Sequence, residues 1–140
     1  LPDDRMKILT LGQQRFRVLE YVREKPYRVG LVEWIEDQPP TQDLRPLAAD
    51  VSQLLQDVVR LSAKLTGQEI ELPDQIPDLP TELSYWIASN LYGVADEQQA
   101  LLEMQDTAAR LEREAEILTS TRNHLAARTV LKDTLGDVTD

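Results

Sequence analysis

The sequence predicts an α+β chain: an antiparallel β-meander within residues 1–38, then an α-helical bundle over residues 39–140 with a long last helix. Three features carry this. Apolar and polar residues alternate up to Glu36, and Pro39 and Pro40 mark an abrupt change of pattern. Beyond them apolar residues recur every three to four positions, the period of a helix with one buried face. The stretch from Asp106 to Leu135 then runs for thirty residues without Pro or Gly.

Three strands are expected first. Met6 to Leu11 is a short β-type run closed by a turn at Gly12-Gln13. Arg15 to Arg23 places Phe16, Val18 and Val22 on one face, with Arg15, Arg17, Leu19 and Tyr21 on the other. Lys25-Pro26 breaks that run, and Tyr27 to Glu36 alternates again, with Tyr27, Val29, Leu31 and Ile35 sharing a side. Both faces of such a meander carry apolar side chains, so further β structure or a helical layer must cover them.

Helices follow. From Asp43 to Leu65, the residues Leu47, Val51, Leu54, Val58, Leu61 and Leu65 form one stripe, with Pro46 in the first turn and Gly67 as the stop. Residues 68–79 contain Pro73 and Pro77 and read as a connector. A second helix starts at Pro80 and runs to Leu91, ended by Tyr92-Gly93, with Leu83, Trp86, Ile87, Asn90 and Leu91 inward. Asp96 is expected to cap a third, Glu97 to Met104. Asp106 is expected to cap the fourth, with Leu111, Ala115, Leu118 and Leu125 as its packing stripe and Gly136 as its end. Early Glu and late Arg and Lys suit the macrodipole of that helix, Arg110 and Arg113 being exceptions.

Composition excludes several functions. The chain has 140 residues, 25 acidic against 15 basic, for a formal charge of −10. That balance opposes nucleic acid and anionic membranes, which both require a cationic face. Cys is absent, so there is neither a disulfide framework nor a thiolate metal site. No run is apolar enough for a membrane span, and the expectation is a cytoplasmic protein. The opening Leu1, with no Met before it, reads as a truncated or processed start. His124 is the only histidine and lies on a basic helix surface, where a solvated side chain is expected. Neither a catalytic set nor a histidine metal pair can be built around it. Asp74 with Asp78, or Glu33, Glu36 and Asp37, could hold a hard cation loosely, but match no calcium-loop spacing. The scattered glycines form no phosphate loop or dinucleotide fingerprint. No catalytic residue, cofactor or metal is therefore expected. The aromatic residues Tyr27, Trp34, Tyr85 and Trp86 are instead candidates for binding polypeptide, because apolar and aromatic contacts are largely indifferent to sequence.

In order and spacing, several segments resemble the amino-terminal substrate-recognition domain of Lon proteases. They are Leu1-Pro2-Asp3-Asp4, Met6-Lys7-Ile8-Leu9, Gly12 through Val18, Tyr27-Arg28-Val29 with Val32-Glu33, Pro80 through Leu91, Ala95 through Glu103, and Arg110-Leu111-Glu112. The resemblance spans nearly the whole chain and extends to small stand-alone proteins built on that domain, or a fragment of one. It implies a PUA-like β lobe, of which residues 1–38 would be the later part, then a helical-bundle subdomain over 39–140. It implies further strands upstream of Leu1 and a last helix able to link to an ATPase module. It also implies a non-catalytic module that recognises unfolded or degron-bearing polypeptides in protein quality control, the ATPase and peptidase parts lying outside this chain.

The alternative is a scaffold subunit that docks a fixed protein partner through its acidic surface and long last helix, using Ile117, Thr121, Leu131 and Leu135 as a seam. Self-association is a further expectation, since a span lacking the upstream strands would leave apolar strand faces uncovered. Neither nucleic acid nor membrane is an expected partner.

Overall fold

The computed structural model describes residues 3–69, 76–91 and 94–138, with side chains through residue 136. Leu1, Pro2, Pro73, Asp74 and the Tyr92-Gly93 stop lie outside the described residues. The chain forms two compact units, Leu1–Glu36 and Asp37–Asp140.

The first unit is built on an antiparallel hairpin of β1, Phe16–Arg23, and β2, Val29–Trp34. β-Branched and aromatic residues supply the strand preference, and a cis Lys25–Pro26 bond lies in the connection. The α+β class holds, but the meander has one strand fewer than expected among the described residues. Met6 to Leu11 is irregular, and Leu9 is 100% exposed. Alternation is only half of a strand; the other half is a partner for its N–H and C=O groups, and β1 pairs with β2 instead. The register also shifts twice, between Val18 and Glu20 and between Tyr21 and Arg23. Each bulge changes which face the following side chains take. Tyr21 therefore shares a face with Phe16 and Val18, opposite to the face that simple alternation assigns it.

The second unit holds α1, Arg45–Thr66; α2, Pro80–Ser89; α3, Ala95–Glu103; and α4, Thr107–Val138. Pro46 stands in the first turn of α1, and Gly67 ends that helix at φ 68°, in the left-handed conformation that costs glycine no Cβ clash. The α3 start differs from expectation. Val94 is its N-cap residue and Asp96 falls inside the first turn, where its charge meets the positive end of the helix but bonds no free N–H. Asp106 does cap α4, accepting from the Ala109 N–H through Oδ1 at 3.2 Å.

Gly136 does not stop α4, which continues to Val138. A glycine permits a left-handed turn without compelling one, and Gly136 has an ordinary negative φ. The 32 residues of α4 span about 48 Å at 1.5 Å each.

The core joins α1, α2 and α4. Ala48 and Val51, Leu83 and Ile87, and Leu111 and Leu118 are buried together, flanked by Leu54, Val58, Trp86 and Ala115. Fully burying a leucine contributes about 1.5–3 kcal/mol, so these few side chains dominate the stability of the unit. At the other end of α1, Lys132 Nζ donates to Leu65 O at 2.9 Å, and Lys64 pairs with Asp133 at 3.6 Å. The start of α1 thus meets the start of α4, and end meets end. The two helices run parallel, and the chain between them, carrying α2 and α3, makes the return.

Candidate functional site

The hairpin presents an apolar face. Phe16 pairs with Trp34 and Val18 with Val32, and the bulge brings Tyr21 opposite Gly30 on the same side. Gly30 lets this face close: a Cβ there would stand 3.3 Å from Val18 Cγ1 and 3.9 Å from Tyr21 Cδ1. Phe16 and Trp34 meet edge to face at 6.3 Å, yet remain 54% and 63% exposed. Residues 10–14 run beside them and complete an open groove of about 470 Å³. Gln14 Nε2 donates to Ile35 O at 2.7 Å and the Ile35 N–H to Arg15 O at 3.1 Å, which fixes that segment next to the strand end.

Arginines rim the same unit. Arg28 lies over Tyr21 at 5.5 Å, Arg23 lies over Tyr27 at 4.8 Å, and Arg17 reaches Glu33 at 3.8 Å. The two arginine–ring contacts hold Tyr21 and Tyr27 in place without burying them. Exposed apolar surface with oriented rings binds extended chains by area and shape, with little demand on sequence.

The four aromatic candidates fall in different settings. Trp34 lies at the end of β2 and Tyr27, 64% exposed, lies beyond the start of that strand, so they occupy opposite ends of the hairpin. Tyr85 and Trp86 are neighbours on α2 in the other unit. Trp86 is half-buried and leans on the core cluster. Tyr85 donates its hydroxyl to Asp37 Oδ2 at 2.9 Å, carries the Arg110 guanidinium over its ring at 4.2 Å, and also walls a groove between α2 and α3.

Phe16 lies on the hairpin's candidate surface and is not among the four aromatic candidates, although it stood on the predicted apolar face. Arg110 was read only as an exception to the charge order along the last helix. It is fully buried, and all five of its N–H groups are engaged. Nε donates to Ser84 Oγ at 2.8 Å, Nη1 to Asp37 Oδ1 at 3.0 Å and to Met104 O at 2.9 Å, and Nη2 to Asp37 Oδ2 at 2.7 Å and Thr107 Oγ1 at 3.4 Å. This fork ties the first residue of the unit to α2, the end of α3 and the start of α4. Asp37, one of the suggested cation ligands, is thereby committed to Arg110.

One turn further along α4, Glu114 is fully buried and neither of its carboxyl oxygens has a hydrogen-bond partner. Burial pushes its pKa up to about 8, against the opposing pull of the Arg110 charge and the Ala88 backbone. The signal for both residues was spacing: 107, 110, 114 and 118 lie along the edge of the same stripe that carries Leu111 and Leu118.

Ser84 Oγ accepts from Arg110 and donates to Thr81 O at 2.7 Å, an arrangement that holds the hydroxyl without activating it. His124 is exposed on α4. Among the described residues no group of three or more His, Cys, Asp or Glu could hold a metal ion, and no helix is long and apolar enough to cross a membrane.

Comparison with known proteins gives one consistent result. Residues 1–120 match the family described as the ATP-dependent protease La (LON) substrate-binding domain. The chain is 31% identical over 125 residues to Lon protease 2 of Myxococcus xanthus, an alignment covering 88% of this chain and 15% of that protein. The Lon protease of Anaeromyxobacter dehalogenans matches with the same identity and coverage. The Lon protease of Trichlorobacter lovleyi is 27% identical over 135 residues, covering 95% of the chain and 16% of the relative. The chain thus spans about 15% of the length of the curated relatives it matches. The matched family is a substrate-binding domain, not an ATPase or peptidase part, and these matches lend no support to a fixed-partner scaffold.

Proposed function

The chain belongs to the LON substrate-binding domain family, and from that premise we propose that it is a non-catalytic module that binds unfolded or degron-bearing polypeptides in the cytoplasm. The observation that carries the proposal is the match of residues 1–120 to a substrate-binding domain, and its candidate surface is the hairpin face, where Phe16, Val18, Tyr21, Val32 and Trp34 present oriented apolar side chains. A recognition surface for many sequences needs contact area that does not depend on a particular hydrogen-bond partner, and aromatic and branched residues supply it. Trp34 is the central contact. Tyr27 with its stacked Arg23 is a second contact at the far end of the hairpin, and Tyr85 serves from the groove on α2. Trp86 contributes through the core that holds α2 in position.

The test is fluorescence anisotropy of the intact chain with a labelled, permanently unfolded polypeptide and with the same polypeptide folded. Binding to the unfolded form alone is the expected result. The double substitution Phe16→Ala and Trp34→Ala should weaken it by about tenfold or more, as loss of a central aromatic anchor does. A chain that stays folded and binds neither form overturns the proposal.

A further inference from the structure

Between Lys64 and Arg110 the chain has nine Asp or Glu residues and no Lys, Arg or His. Both α2 and α3 lie in that run. An open groove of about 350 Å³ separates them, with Ala88, Ala95 and Leu101 among its lining, Tyr85 on one wall and Leu102 on the other. Leu102 remains 48% exposed. Gln98 Nε2 donates to Ala88 O at 3.0 Å and so joins the two helices at the groove.

The flanking charges left unpaired are of one sign. Asp96 follows Ala95 in α3 and Glu103 follows Leu102; both are exposed, and neither makes an ion pair among the described residues. Glu97 differs: Arg113 bonds it and holds its carboxyl below the usual range. The groove is therefore lined mainly by apolar side chains, with Ser89, Gln98 and Gln99 alongside them, and bordered by unneutralised carboxylates.

We propose that this groove docks a cationic polypeptide segment, taking one aliphatic or aromatic side chain between α2 and α3 while flanking Lys or Arg residues of the segment meet Asp96 and Glu103. The inference rests on the reading of the chain as a polypeptide-binding module and adds the chemistry of a preferred client. Charge complementarity selects the occupant. Acidic segments, nucleic acid and anionic lipid are all repelled by the same carboxylates, whereas a basic segment gains in approach rate and in affinity. The volume suits one large side chain, not a folded surface.

The experiment compares two labelled peptides of identical apolar content, one with Lys and one with Glu at the charged positions, together with an uncharged unfolded polypeptide. Each is titrated with the intact chain at low and high salt. The Lys peptide should bind about tenfold or more tightly than the Glu peptide at low salt, and the gap should narrow as salt screens the charges. The double reversal Asp96→Lys and Glu103→Lys should abolish the preference, and Leu102→Asn should weaken the Lys peptide several-fold. Circular dichroism checks that the variants remain folded; both changes are on exposed positions. If the uncharged polypeptide binds but the wild-type chain shows no preference between the charged peptides, or the double reversal leaves it intact, the groove inference falls and the binding-module reading stands. If no peptide binds, both fall.

Discussion

Glu114 is the residue whose chemistry departs furthest from its sequence context. Its carboxyl is buried without a hydrogen bond, and the folded chain holds its pKa near 8, where the unfolded chain leaves it near the ordinary value of 4.5. Below about pH 4.5 the group is protonated in both states and imposes no penalty. As pH rises the unfolded state releases the proton first, so the contribution to stability falls steadily until the folded carboxyl ionises near pH 8. Glu114→Gln removes the titration while keeping the shape. In urea titrations from pH 5 to pH 8.5, the stability advantage of the variant over wild type should grow with pH to a few kcal/mol. An advantage that is flat with pH would mean the carboxyl is already ionised in the folded chain. The neighbours Leu111 and Leu118 were legible from spacing alone. Glu114 and Arg110 were not, because residue type argues for an outer face and only their position beside the stripe argues against it. Asp37 was harder still, since its partner is 73 positions away in sequence.

Among the elements, α1 was the most legible, because Pro46 and Gly67 bracket it and a single apolar stripe fills the interval. Its two-glycine comparison with α4 has a measurable outcome. Gly67 sits at φ 68°, so Gly67→Ala should cost about 1 kcal/mol, read as a lower melting temperature. Gly136 lies within the last turns of α4 with open space around an added Cβ, so Gly136→Ala should instead raise stability by a few tenths of a kcal/mol. Equal effects of the two substitutions would contradict the observed helix ends. The strands were less legible. Met6 to Leu11 has the right period but no partner in the ladder, and a two-residue repeat cannot report a missing partner. The bulges at Leu19 and Val22 were hidden for a related reason: a bulge is a property of the pair, and Tyr21 changes face because of where β2 sits.

At the scale of the molecule, charge is divided unevenly. Residues 1–36 hold seven basic and six acidic side chains, and residues 37–140 hold eight basic and nineteen acidic ones, so nearly all the net negative charge belongs to the helical unit. That unit also has its own core and its own polar anchor. A fragment of residues 36–140 should therefore keep a helical spectrum and a cooperative melt, whereas residues 1–36 alone should not fold, because an isolated hairpin is marginal in water. Shortening the helical fragment to 39–140 removes Asp37 and leaves the Arg110 guanidinium buried without its carboxylate, a loss of about 3–5 kcal/mol. Similar melts for the two helical fragments would show that the pair contributes little. The parallel course of α1 and α4 has a consequence in time. Helical proteins usually assemble from neighbours in sequence and do so quickly, but here Lys132 finds Leu65 across 67 positions and Arg110 finds Asp37 across 73. The central helix pair can close only after most of the unit has been threaded into one loop, so a chain with the helix content of a fast folder should fold at the pace of one dominated by distant contacts.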